Sequence, residues 1–162
     1  MDANLKHFML DLIESGRDLS LATLRDDGYP QANIVSYASD GLTLYFGTAR
    51  ASTKLRNILH CNRVSLTISA PYDGWNDIRA LSMAGVAHVL PDDSPESAHA
   101  MQCLRSKFPS GWDMSPPGEP TQIVFVAIVS VIASVLDYAQ GFGHSELVAI
   151  GSSDLGSPAE DS

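Results

Sequence analysis

Gly47-Thr48-Ala49-Arg50-Ala51-Ser52-Thr53-Lys54 is the segment whose residue types best suit a chemical task. It follows an alternating apolar run, Leu42, Leu44 and Phe46, and precedes Leu55, Ile58 and Leu59 at helical spacing, so it falls where a strand ends and a helix begins. A helix start presents unpaired N–H groups and the positive end of the helix dipole, which together attract phosphate. Ser52 and Thr53 add hydroxyls and Lys54 adds an ammonium, all able to bond phosphate oxygens. Charge placement points the same way. The chain has 19 acids against 10 bases, a net charge of -9, yet residues 41–72 contain no acid and residues 50–63 hold Arg50, Lys54, Arg56 and Arg63. The same segment also describes an ordinary capped helix with solvated bases, and both readings stay open at this level.

Other chemistries find less support. His7, His60, His88, His99 and His144 show no metal-ligand spacing. Cys61 and Cys103 form no CxxC and read as two structural thiols. No nucleophile elbow and no GxGxxG after a strand are present. Asp26-Asp27 and Asp92-Asp93 sit beside turn signals and read as turn residues. Trp75 and Trp112 fall in loops, where they pack an edge or wall a ligand. With no strong nucleophile or tuned acid–base pair, any catalysis would be carried by a bound cofactor that the protein positions.

The elements that must place these residues follow from periodicity. Leu5, Phe8, Met9, Leu12 and Ile13 form one helical stripe that stops at Gly16. Leu19, Leu21 and Leu24, then residues 32–37, then Leu42, Leu44 and Phe46 read as three strands. Asp27-Gly28 with Pro30, and Asp40-Gly41, mark the turns between them, giving an antiparallel meander. Ser52 or Thr53 caps the next helix. Val64, Leu66 and Ile68 alternate as a fourth strand, and residues 80–90 make a fifth with Gly85 as a bulge or close approach. Ser94-Pro95-Glu96 opens a helix with Ala98, Met101, Leu104 and Phe108 on its apolar face. Residues 109–120 are a Pro- and Gly-rich loop, and 123–136 a last strand or a pair bent near Ser130.

These elements predict a mainly β fold with peripheral helices, a six- or seven-stranded antiparallel barrel. Residues 1–150 would be one domain and 151–162 a loose acidic tail. The acidic balance argues against nucleic acid and anionic membranes as partners. The uncharged stretch 121–136 is shorter than the roughly 20 residues of a membrane helix, and it is rich in Val and Ile. With no secretory leader, a cytoplasmic location is expected.

The run Leu44-Tyr45-Phe46-Gly47-Thr48, then Ser52-Thr53-Lys54, then Arg63-Val64-Ser65-Leu66 resembles the FMN-binding split barrel of the pyridoxamine 5'-phosphate oxidase-like proteins. Met83-Ala84-Gly85-Val86-Ala87, Lys107-Phe108-Pro109, Leu136-Asp137-Tyr138 and Gly141-Phe142-Gly143-His144 fit the same picture, so the resemblance spans residues 5–148. It implies a homodimer with FMN between the barrels and flavin-dependent oxidoreductase or flavin reductase activity. Ser52, Thr53 and Lys54 would hold the phosphate, with Thr48 and Ala49 close by. Asn33, Ile34, Val35 and Ser36 would run beneath the isoalloxazine ring. Trp75, Arg79 and residues 142–144, His144 among them, would close the site, supplied by the second subunit. Relatives also bind a deazaflavin or haem. The alternative is therefore a non-catalytic carrier or sensor of flavin, deazaflavin, haem or pyridoxal phosphate. Asn33 and Ala38 stand where true pyridoxamine phosphate oxidases have basic residues, which points away from the vitamin phosphate as substrate.

Overall fold

A computed structural model describes residues 1–110 and 122–156. Its helices are α1 (Ala3–Ser15), α2 (Thr53–His60) and α3 (Pro95–Lys107). Its strands are β1 (Asp18–Leu24), β2 (Pro30–Ser36), β3 (Ala38–Asp40), β4 (Thr43–Ala49), β5 (Arg63–Ser69), β6 (Arg79–Val89), β7 (Ile123–Asp137) and β8 (Ser145–Ala149). All pairings are antiparallel, in the order β2-β1-β5-β6-β7-β4-β3, with β8 added to the second half of β7. Seven described strands follow this path, within the six or seven foreseen, and the short β8 lies off it.

The expected meander does not form. β2 pairs with β1, whereas β4 pairs with β3 and β7 at the far side of the sheet. The chain passes from one sheet edge to the other through Tyr37 alone, which separates β2 from β3. Two Cα steps of about 3.8 Å cannot span a flat sheet, so the sheet must curl until its edges meet. Tyr37 is fully buried at that seam, and its hydroxyl donates to the Ile13 carbonyl of α1 at 2.7 Å. Gly16 does end α1, but with an ordinary extended φ of -70°. Its lack of a Cβ matters for another reason: a Cβ there would collide with the Tyr37 hydroxyl.

Alternation fills the barrel. Leu19 and Leu21 of β1, Leu44 and Phe46 of β4, Leu66 and Ile68 of β5, and Leu81 and Met83 of β6 point into one core with Met9 and Ile13 of α1. The β6–β7 register slips where Ala84 faces Ile132 but Gly85 faces Ser130, leaving Val131 as the extra residue. This bulge is the bend anticipated near Ser130, and it lets one long β7 pair with β4 at one end and β8 at the other.

Two helix faces depart from expectation. In α2 the buried residues are Leu55, Asn57 and Ile58, and Leu59 is 69% exposed. In α3 Ser97, Ala100 and Leu104 face inward and Ala98 is exposed. In both cases a small or polar residue fits the contact with the sheet, so size and hydrogen bonding decide the face. Beyond β8 the Leu155 carbonyl accepts from the Leu42 amide at 2.9 Å and the Gly156 carbonyl accepts from Lys6 Nζ at 2.8 Å. Residues 157–162 and most of the 109–120 loop, with Trp112, lie outside the described residues.

Candidate functional site

The turn from β4 into α2 is built by three bonds. The Ser52 amide donates to the Ala49 carbonyl at 2.9 Å, Ser52 Oγ accepts from the Leu55 amide at 3.3 Å, and Thr48 Oγ1 donates to Ser52 Oγ at 2.9 Å. Ser52 is thus the N-cap that the sequence offered, and Thr48, itself buried, fixes its hydroxyl. The first-turn amides of Thr53 and Lys54 precede any i−4 carbonyl and point out of the helix end. Arg50 turns away, pairing with Asp92 and with Gln122 Oε1 at 3.0 Å. Among the described residues no carboxylate lies within ion-pair distance of Lys54 or Arg56. The helix start therefore keeps a net positive field.

This turn opens onto a cleft of about 600 Å³. Thr48, Ala49, Ser52 and Lys54 form one part of its lining, with Gly47. Ile34, Val35 and Ser36 at the end of β2 form another. Arg17, Asp18 and Phe108 complete it. The Arg17 guanidinium stacks 4.9 Å from the Phe108 ring centre, and Ser36 Oγ donates to Asp18 Oδ1 at 2.6 Å. The volume sits in the usual range of roughly 300–1,000 Å³ for small-molecule sites. The lining combines a cation and hydroxyls at one end with apolar surface from Ile34, Val35 and Phe108. That composition suits a phosphate ester carrying a flat ring.

Of the residues expected at the site, Val35, Ser36, Thr48, Ala49, Ser52 and Lys54 converge on this cleft. Asn33 and Thr53 are their chain neighbours but are not part of the lining, Asn33 being half-buried on the inward side of β2 and Thr53 exposed at the helix start. Trp75 and His144 are elsewhere. Trp75 meets Phe142 edge-on at 6.3 Å, and Phe142 meets Tyr138 at 5.3 Å. Trp75 is 69% exposed and Phe142 82%. His144 lines a smaller cleft of about 290 Å³ with Asp2, Phe8 and Glu146. Arg79 begins β6 beside Asp137. Arg17, Asp18 and Phe108 were missed as site residues. Arg17 and Asp18 precede the β1 alternation without any motif of their own, and Phe108 has the spacing of a helix core position.

Among the described residues no group of three or more His, Cys, Asp or Glu side chains could hold a metal ion, and no helix is long and apolar enough to cross a membrane.

A curled, all-antiparallel sheet closed through one residue and flanked by three helices defines a split barrel. Sequence comparison agrees: the family described as Pyridoxamine 5'-phosphate oxidase matches residues 5–135, and the chain belongs to that family. No curated protein matches the chain significantly. Solved structures of similar fold include a putative pyridoxamine 5'-phosphate oxidase from Listeria innocua, with 21% identity, a TM-score of 0.63, and 82% of this chain and 98% of that one covered. A heme binding protein from Mycobacterium smegmatis gives a TM-score of 0.71 at 20% identity, covering 89% of this chain and 57% of that one. An F420 reductase gives 0.61 at 28% identity, covering 76% and 94%.

Proposed function

We propose that the chain is an FMN-binding flavoprotein that acts as an oxidoreductase of the flavin reductase kind, working as a homodimer. The observation that carries this reading is the convergence of Thr48, Ala49, Ser52 and Lys54 with Val35 and Ser36 on one cleft. Ser52, Lys54 and the first-turn amides of α2 would hold the phosphate, and Thr48 keeps the Ser52 hydroxyl in place. Ile34, Val35 and Phe108 would line the ring. Bound FMN supplies hydride and single-electron transfer, chemistry that the side chains of the cleft lack. The protein's part is to hold the ring, exclude water from one side of it, and present the cation at the phosphate end. The described lining has no His, Cys, Met or Tyr, the side chains that ligate haem iron, which favours a flavin or deazaflavin over haem. A second copy of the chain would cover the open side of the cleft and the exposed Trp75–Phe142 pair.

The test is direct. Protein mixed with FMN and desalted should retain the flavin spectrum and quench its fluorescence. Lys54→Ala should weaken FMN roughly 10- to 150-fold, the loss of one charge-assisted hydrogen bond at about 1.5–3 kcal/mol. Riboflavin, which has no phosphate, should bind both proteins alike. Failure to retain any flavin would overturn the reading.

A non-catalytic flavin carrier is the second reading. It is favoured by one observation: among the described lining residues the one carboxylate, Asp18, already accepts a bond from Ser36. Flavin-loaded protein that is not reduced by NADH or NADPH would support it, and turnover would reject it.

A further inference from the structure

We infer that Asn57 is a positioning residue for the phosphate end of the cleft, an inference that rests on the flavin reading above. The two parts of that site come from elements that the sheet does not connect. α2 carries Ser52 and Lys54 at its start, while β2 carries Val35 and Ser36 and pairs only with β1 among the described strands. The backbone relates them only indirectly, through Tyr37 and the β3–β4 pair, so side chains between α2 and the β1–β2 hairpin refine their relative placement.

Asn57 lies just over one turn after Ser52, is 4% exposed, and directs its amide at the β1–β2 hairpin. Nδ2 donates to Thr23 Oγ1 at 3.0 Å and to Gln31 Oε1 at 2.9 Å. Both amide hydrogens are therefore committed. Thr23 and Gln31 face each other across β1 and β2, so one side chain clamps the helix to both strands at a single rung. Packing alone does not require this, because Leu55 and Ile58 already bury the apolar face of α2. A buried amide without partners is costly, so the helix sits where both bonds are satisfied. Hydrophobic contact tolerates sliding and rotation, whereas two bonds from one planar group fix both. The phosphate amides and the ring-bearing strand are thereby held in one geometry, and shifts well below 1 Å matter to a bidentate anion site.

The experiment measures FMN and riboflavin affinities of the full chain side by side. Asn57→Leu keeps the branching and the number of side-chain heavy atoms and removes both bonds. FMN affinity should fall about tenfold, the effect of one misaligned charge-assisted bond, while riboflavin affinity stays unchanged. Thr23→Val and Gln31→Leu remove the acceptors singly and should shift the FMN-to-riboflavin ratio the same way by less. They carry the test if Asn57→Leu fails to fold, as read by far-UV circular dichroism. Equal losses for both flavins, or unchanged FMN affinity in folded variants, would overturn the inference. Wild-type protein that binds neither flavin would overturn the flavin reading itself and this inference with it.

Discussion

Lys107 ends α3 with its ammonium turned inward, 3.2 Å from the Ile13 carbonyl and 4.1 Å over the Tyr37 ring. Burial, reinforced by the Arg17 guanidinium, pushes its pKa down to about 8 from the ordinary 10.5, against the opposing pull of Glu14 and Asp18. Tyr37 shifts the other way: burial, then the Asp18 charge, raise its pKa, so its hydroxyl keeps the proton that bonds Ile13. Between about pH 8 and 10.5 the unfolded chain holds a proton on Lys107 that the folded chain has released. Stability due to this group therefore rises with pH across that window. Urea unfolding midpoints of the wild type and Lys107→Met should diverge in favour of the wild type from pH 8 to 10.5. Parallel midpoints would show that Lys107 stays charged. The site shows the same split at residue scale. Ser52 and Lys54 were legible because a cap and a cation beside it are local features. Asn57 was not, because polar residues at helical spacing look solvent-facing until a partner strand is placed against them.

At the scale of elements, the bulge in β7 explains how one strand serves two neighbours, and Gly85 is what permits it. A Cβ there would stand 2.6 Å from the Val129 carbonyl oxygen and 3.2 Å from Ser130 Cα, both backbone atoms that cannot rotate aside. The extra residue, Val131, offers its carbonyl to the Ile150 amide at 2.9 Å, which anchors the end of β8. Gly85→Ala should cost about 1–3 kcal/mol of stability, as overpacking does. It should also speed amide exchange in residues 145–150. A loss below about 0.5 kcal/mol, the scale of an ordinary surface substitution, would show that β6 and β7 separate freely at this point. The glycine was legible as a bulge or close approach; it is the close approach, and the bulge it faces lies in β7. The two faces misjudged, Leu59 in α2 and Ala98 in α3, show the limit of counting apolar residues. A single exposed leucine is common, and Ser97 or Asn57 can be buried wherever a bond awaits it.

For the whole molecule, closure through Tyr37 leaves the barrel interior filled by its own leucines and isoleucines, so a ligand as large as a flavin must sit outside it. The cleft at α2 is such a place, and the exposed Trp75 and Phe142, with the half-buried Tyr138 against Phe142, form a surface that the proposed second copy would bury. Light scattering on the flavin-loaded protein should give roughly twice 17.4 kDa. Phe142→Ser should move the mass toward one chain and weaken FMN together. A monomer that keeps its flavin would count against the shared site.

The sequence by itself determined the element types, the Ser52 cap, the carboxylate-free stretch of chain around Lys54, the close approach at Gly85 and the barrel class. Each depends on relations within a few residues, where periodicity of 2 or 3.6 and capping chemistry act directly. Only the tertiary structure decided that β2 and β4 lie at opposite sides of the sheet, that Tyr37 joins the edges, that Arg17 and Phe108 enter the cleft, and that Trp75 and His144 stand apart from it within one chain. Those outcomes rest on contacts between residues far apart in the chain, such as Tyr37 with Ile13 and Lys107 with Ile13, separated by 24 and 94 positions. No local pattern encodes such a meeting, because it exists only once the whole sheet has curled.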